Sequence, residues 1–186
     1  RARRPAGLRA PAKDARNKKA AKLARIEKVT DLAGKRVGIV AGTDGGEDVL
    51  DTVLTHYGVA RDSVKASRVE LTDLQNAVKE DRIDAVLVAG PQTGTLIEKT
   101  VVALTHNKKS PTFIAIDQAE GIGKRTPPYE SADVPAGAFG GVPPSPPEEL
   151  KSLKFPVYIV ARKNFNSDKI AAFSKSLYTS RQALAY

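Results

Sequence analysis

The chain has 186 residues, 30 Lys/Arg against 21 Asp/Glu, and no Cys, Met or Trp. That length suits one ordinary domain or slightly more, large enough for a real core, and the missing Cys excludes disulfides, zinc–thiolate sites and cysteine nucleophiles. No run of 18 apolar residues occurs, so no stretch reads as a membrane-spanning helix.

The net charge of +9 is local. Residues 1–28 hold 11 Lys/Arg against Asp14 and Glu27, whereas the rest of the chain holds 19 of each sign. Arg-Pro and Ala-Pro steps make residues 1–28 an irregular basic arm, with a short helix expected near Asn17–Arg25. The arm lacks the interleaved aromatics that stack on bases, which argues against nucleic acid. An anionic membrane surface is the partner its charge suits, and a solvated linker is the preferred plain reading. The chain starts at Arg1 rather than Met. It is therefore expected to be a processed or trimmed product, with any signal peptide or anchor outside it.

Val29–Val37 reads as a turn entering a strand at Val37–Ala41. Asp44 is placed to cap the next helix, with Glu47 three residues on. Val49, Leu50, Val53, Leu54 and Tyr57 mark its apolar face, and Gly58 ends it. A second strand is expected over Ala66–Leu71. Thr72-Asp-Leu-Gln75 is a capping box that opens a short helix through Lys79. Ile83–Ala89 is continuously apolar, the pattern of a strand buried on both faces. Thr95-Leu-Ile-Glu98 is a further capping box, starting a helix to about Leu104, and Pro111–Asp117 reads as another strand. This alternation predicts an α/β fold, a mostly parallel sheet flanked by helices over 32–117 with right-handed crossovers, and Val37–Ala41 and Ile83–Ala89 as its central strands. Gln118–Pro147 holds seven prolines and reads as an extended crossing segment. A helical turn at Pro147-Glu-Glu-Leu150 follows, then a strand at Pro156–Arg162. The last element is a helix capped by Ser167, with Ile170, Phe173 and Leu177 on one face.

Two stretches share one pattern: an apolar strand, a glycine-rich loop, a helix start. The first loop is Thr43, Asp44, Gly45 and Gly46; the second is Gln92, Thr93 and Gly94. A strand feeding such a turn presents free N–H groups and the positive end of a helix dipole. That chemistry suits a small anion or carboxylate, and two such loops can share a crevice where strand order reverses. Asp44 can instead take a ligand's ammonium group. Plain turn chemistry accounts for both loops equally well. Neither loop carries the Lys-Ser/Thr of a phosphate loop or the Rossmann spacing, so a bound nucleotide is not expected. His56, late on an amphipathic helix, and His106, in a Lys-rich loop, read as solvated surface histidines. No nucleophile elbow and no His-Glu-x-x-His occurs. No catalytic residue, metal ligand or cofactor is expected.

The run Val29-Thr-Asp-Leu-Ala-Gly-Lys-Arg-Val-Gly-Ile-Val40 resembles the "DLxGKxV" entry into the second lobe of periplasmic binding proteins with the type 2 fold. Ile116-Asp117, Tyr129-Glu130, Val134-Pro-Ala-Gly-Ala-Phe-Gly140 and Val157–Arg162, in that order, resemble the TAXI class of TRAP transporter solute receptors. The resemblance implies a non-enzymatic, periplasmic receptor. It implies a small acidic solute, an amino acid or other carboxylate, delivered to a TRAP-type membrane permease. It adds Gly137 and Phe139 to the ligand-binding candidates, with Phe139 standing where the class has Tyr. It implies four regions: the arm (1–28), an α/β lobe (29–117), a Pro/Gly-rich crossing segment (118–155), and a strand and helix returning to a first lobe (156–186), with that first lobe missing. A membrane anchor in some relatives makes the arm a juxtamembrane candidate. The rivals are an enzyme on the same fold, similar to thiamine-precursor synthases, and a polyanion- or membrane-surface module led by the arm.

Overall fold

Strand β1 (Arg36–Val40) is the middle of a three-stranded parallel sheet, flanked by β2 (Lys65–Val69) and β3 (Ala85–Val88). The computed structural model describes residues 25–40, 45–90, 95–105, 110–156 and 158–180. Val37 lies opposite Ala66 on one side and Ala85 on the other, and Val40 lies opposite Val69 and Val88. Side chains alternate between faces along a strand, and the two faces of β1 receive different helices. Val37 and Ile39 pack with Leu50, Val53 and Leu54 of α1 (Gly46–His56). Val40 packs with Leu74 and Ala77 of α2 (Leu74–Lys79), and with Leu96, Ala103 and Leu104 of α3 (Thr95–Leu104). Helices on both faces of a parallel sheet are the expected α/β lobe.

The position of β3 corrects one expectation. Its four residues are all half-buried, and it is an edge of the sheet rather than a central strand. Its residues pack toward both faces, Ala85 and Leu87 on one and Val86 and Val88 on the other, but among the described residues no strand pairs with its outer edge. Pro111–Asp117, expected as a further strand, forms none; Ile116 N–H instead donates to the Lys151 carbonyl at 2.9 Å.

Helix ends also shift. Gly45, at φ 112°, is the N-cap of α1, and Asp44 lies outside the described residues. Thr72 does not cap α2; Asp73 holds that position, and its carboxylate accepts from Arg82 Nη2 at 2.8 and 3.0 Å instead of from the helix. Helix α3 begins at Thr95 itself. The end of α1 is as expected. Gly58 takes φ 67°, its N–H reaches the Thr55 carbonyl at 3.2 Å, and Val59 N–H reaches Leu54 at 2.9 Å. That pair of bonds is a Schellman motif.

The segment after 117 is more ordered than an extended crossing. It forms α4 (Ala119–Arg125) and an antiparallel pair, β4 (Glu130–Val134) and β5 (Leu150–Lys154). Ile122 of α4 is fully buried in the cluster under α1, and Tyr129 and Leu153 pack against that cluster. Leu150 opens β5 where a helical turn was expected, and no strand forms among the described residues of 156–162. In α5 (Ser167–Thr179) the cap is Asn166 rather than Ser167: its side chain accepts from Asp168 N and Lys169 N at 2.9 and 3.0 Å. No residue of α5 is buried, so its apolar face is not covered.

Two substitutions test this packing. A Cβ on Gly46 would stand 2.6 Å from Ile39 Cγ2, so Gly46→Ala should destabilise the chain by about 1–3 kcal/mol through overpacking; urea unfolding measures it, and an unchanged midpoint would mean that α1 does not press on β1. At the strands' N-terminal end, Asp84 accepts from Arg36 N at 2.9 Å, Nε at 2.8 Å and Nη2 at 2.5 Å. Hydrogen bonds from the Arg36 side chain hold the Asp84 pKa below its usual value. Such a depressed carboxylate stabilises the fold above its unfolded pKa, and that contribution is lost as pH falls through the folded one. Asp84→Asn should therefore lower stability at neutral pH and shrink its decline below about pH 4, read from thermal melts across an acid series.

Candidate functional site

Because β1 and β3 run in the same direction with Val40 opposite Val88, the connections that follow them leave from one end of the sheet, side by side. They then part. The first enters α1, packed on one face; the second enters α3, packed on the other. The chain goes from β1 outward to β2, then back across β1 to β3. That reversal is a switch point, the position in an open α/β sheet where ligands are generally held at the carboxyl ends of the strands. Helices of 11 and 10 residues aim their N-terminal ends toward it.

Of the expected ligand residues, Thr43, Asp44, Gln92, Thr93 and Gly94 lie outside the described residues. Gly45 and Gly46 open α1, and both have structural reasons to be glycine. Gly45 takes a left-handed φ of 112°, and Gly46 lets the helix close on Ile39. Glu47 and Asp48 follow in the first turn; the Glu47 carboxylate is drawn aside to Arg68 Nε at 3.2 Å.

Gly137 and Phe139 belong to the turn that follows β4. Gly137 has φ 74°, and its N–H is engaged by the Pro146 carbonyl at 2.9 Å. Phe139 N–H donates to Ser145 O and Ser145 N–H to Gly140 O, each at 2.7 Å. The Phe139 ring stacks on Phe113 with centroids 6.0 Å apart. Both rings and Gly90, at the root of the second loop, line one cavity of about 1050 Å³. Phe139 thus shares a cavity with Gly90, while Gly137 serves the turn itself.

His56 is not the free surface histidine expected. It is half-buried, and its Nε2 lies 3.0 Å from Gln118 Oε1. Next to it, Tyr57 Oη donates to the Asp117 carboxylate and accepts from Gln118 N–H at 3.0 Å. This cluster ties the end of α1 to the start of α4. Sequence reading passed over Tyr57–Asp117–Gln118; the one available signal was a polar pair directly after the apolar run ending at Ile116. With a rise of about 1.5 Å per residue, His56 stands roughly 15 Å along α1 from Gly46, at the opposite end of the sheet from the crevice. His106 lies outside the described residues. Among the described residues no group of three or more His, Asp or Glu is placed to hold a metal.

A family model described as NMT1/THI5 like matches residues 19–118. The chain belongs to the NMT1/THI5-like family. This is a periplasmic-binding-protein-like family, and the match spans β1, β2, β3 and the three helices packed on them. Its last two residues, Asp117 and Gln118, are the ones that bind Tyr57. The NMT1/THI5-like region is thus clamped to α4 where the match ends.

The clamp has a pH signature. Burial, then the bond to Asp117, raises the Tyr57 pKa to about 12. A group whose folded pKa exceeds its unfolded one contributes stability below the unfolded value, here about 10, and loses it as pH climbs toward the folded one. Tyr57→Phe should cost about 1–2 kcal/mol at neutral pH. It should also remove part of the parent's loss of stability between about pH 10 and 12, seen as converging denaturation midpoints. Parallel curves would mean the hydroxyl is not held as described.

Proposed function

We propose that this chain is a non-enzymatic solute-binding lobe for a small carboxylate or amino acid, of the TAXI kind, serving a TRAP-type permease in the periplasm. The observation that carries the reading is the switch point: two glycine-rich connections leave adjacent parallel strands at Val40 and Val88 and lead to helices on opposite faces. An acidic solute in that crevice would take N–H groups at the starts of α1 and α3, oriented by Thr43, Gln92 and Thr93, with Asp44 available to an ammonium group. Phe139, which lines the same cavity as Gly90, would supply an apolar wall. The family match supports a solute-binding type of fold, and the TAXI assignment rests on the Pro-Ala-Gly-Ala-Phe turn. The enzyme reading has less behind it, since His56 is held by Gln118 at the far end of α1. Through its charge, the arm would meet an anionic membrane surface.

A thermal-shift screen with amino acids and dicarboxylates tests this. A ligand at 100 times its Kd should add about 2.7 kcal/mol of stability. Thr93→Ala should weaken the ligand so found by about tenfold, the loss of one hydrogen bond to a charged group. His56→Ala should leave its affinity unchanged in calorimetry. Equal binding by Thr93→Ala, or loss of binding in His56→Ala, would move the site elsewhere.

A further inference from the structure

The cavity that Phe139 shares with Gly90 is larger than a small carboxylate needs. Its volume is about 1050 Å³, at the top of the range of ordinary ligand sites. Lys35 and Asp84, which directly precede β1 and β3, line it at the strands' N-terminal end, and Gly90 lines it at the carboxyl end. From Asp84 to Gly90 the chain advances about 20 Å at the usual rise of a strand, so the cavity runs the length of β3. Between those ends its lining is mostly apolar. Ile97, Val101 and Leu104 line it from α3, at the spacing of one helix face. Thr100 lines it too, but its hydroxyl donates to the Leu96 carbonyl at 2.8 Å, so that polar group is already satisfied. The stacked rings of Phe113 and Phe139 complete the apolar lining.

A solute held only by loop and helix N–H groups would leave this space unfilled. Protein interiors keep few voids larger than a water molecule, and water gains little in a cavity without polar partners. Ligand sites of this make hold the body of the ligand by apolar contact and orient it with a few polar groups. Here those groups are the N–H donors at the start of α3, reached through the loop that Gly90 begins.

We propose that the solute is a carboxylate with a bulky apolar body, its head at the start of α3 and its body in the cavity beside Phe113 and Phe139. This rests on the carboxylate site proposed above, which places the head; the cavity adds the class of the tail. A short dicarboxylate is then a poor ligand, because its second charge would have to enter an apolar space without a partner. An aromatic or large aliphatic amino acid, or its deaminated acid, meets both ends of the site.

The chain has no Trp, so the fluorescence of an indole ligand is read against no tryptophan background. The probes are tryptophan and indolepropionate, with alanine and succinate as small counterparts in calorimetry of the full chain. The expected result is a saturable blue shift of indole emission, and affinities about tenfold or more above those of alanine and succinate. Ala132→Phe, which fills the cavity from β4, should abolish the blue shift, and Phe139→Ala should weaken the indole acids about fivefold. Both sites are only half-buried, and unchanged circular dichroism checks that the fold survives. Alanine or succinate bound as tightly as tryptophan, and weakened by Thr93→Ala, would overturn this inference and leave the carboxylate site standing. A blue shift lost in Ala132→Phe but untouched by Thr93→Ala would overturn the carboxylate site and leave the cavity occupied. A blue shift that survives Ala132→Phe would overturn the cavity assignment, and no binding by any probe would overturn both.

Discussion

Burial of β1 on both faces is the constraint on which the rest of the lobe depends. Val37 and Val40 are each 2% exposed and point to opposite faces, so neither face of this strand can be left to solvent. One face needs α1; the other needs α2 and α3. Once helices must alternate faces while the chain reverses across β1, the connections after β1 and β3 have to diverge at one end of the sheet. The switch point is thus a consequence of how a two-sided apolar strand is covered.

The same constraint explains Gly46. A helix that covers Ile39 must come down directly onto β1 within a few residues of leaving it. The short connection leaves no room for a Cβ at the first helical position. A glycine that looked like a ligand contact is first a packing requirement. The two roles are compatible, because close approach of helix to strand also brings the first N–H groups of α1 to the mouth of the crevice.

The parallel core was legible because its signals are local and strong. Val37–Val40, the Val49–Leu54 stripe and the Gly58 stop each carry their own period or backbone demand. Apart from the helix at Ser167–Thr179, the C-terminal half was not legible, for physical reasons that can be named. Helix α4 contains Gly121 and Gly123, poor helix formers; they are there because a Cβ at 123 would meet the Tyr129 carbonyl at 2.8 Å and one at 121 the His56 ring at 3.2 Å. Tertiary contact overrode propensity. Strands β4 and β5 lie in proline-rich surroundings and are short and polar, yet charge complementarity could have paired them. Glu130 faces Lys154 and Asp133 faces Lys151 in the register, with ion pairs of 3.0 and 2.6 Å. The polar half of the site was missed because Tyr57, Asp117 and Gln118 are about sixty residues apart and share no motif; only the fold joins them.

The failed expectation about β3 is the most informative of these. A run as apolar as Ile83–Ala89 is written for a strand with neighbours on both sides, and among the described residues it has one. Pattern and structure then conflict, and the conflict has a direction: the sequence encodes more burial than the described residues supply. Tyr158–Val160 and the face of α5 carry the complementary excess, apolar surface with nothing beneath it. Natural sequences tend to agree with their structures across levels, so both mismatches mark surface that the described residues leave uncovered.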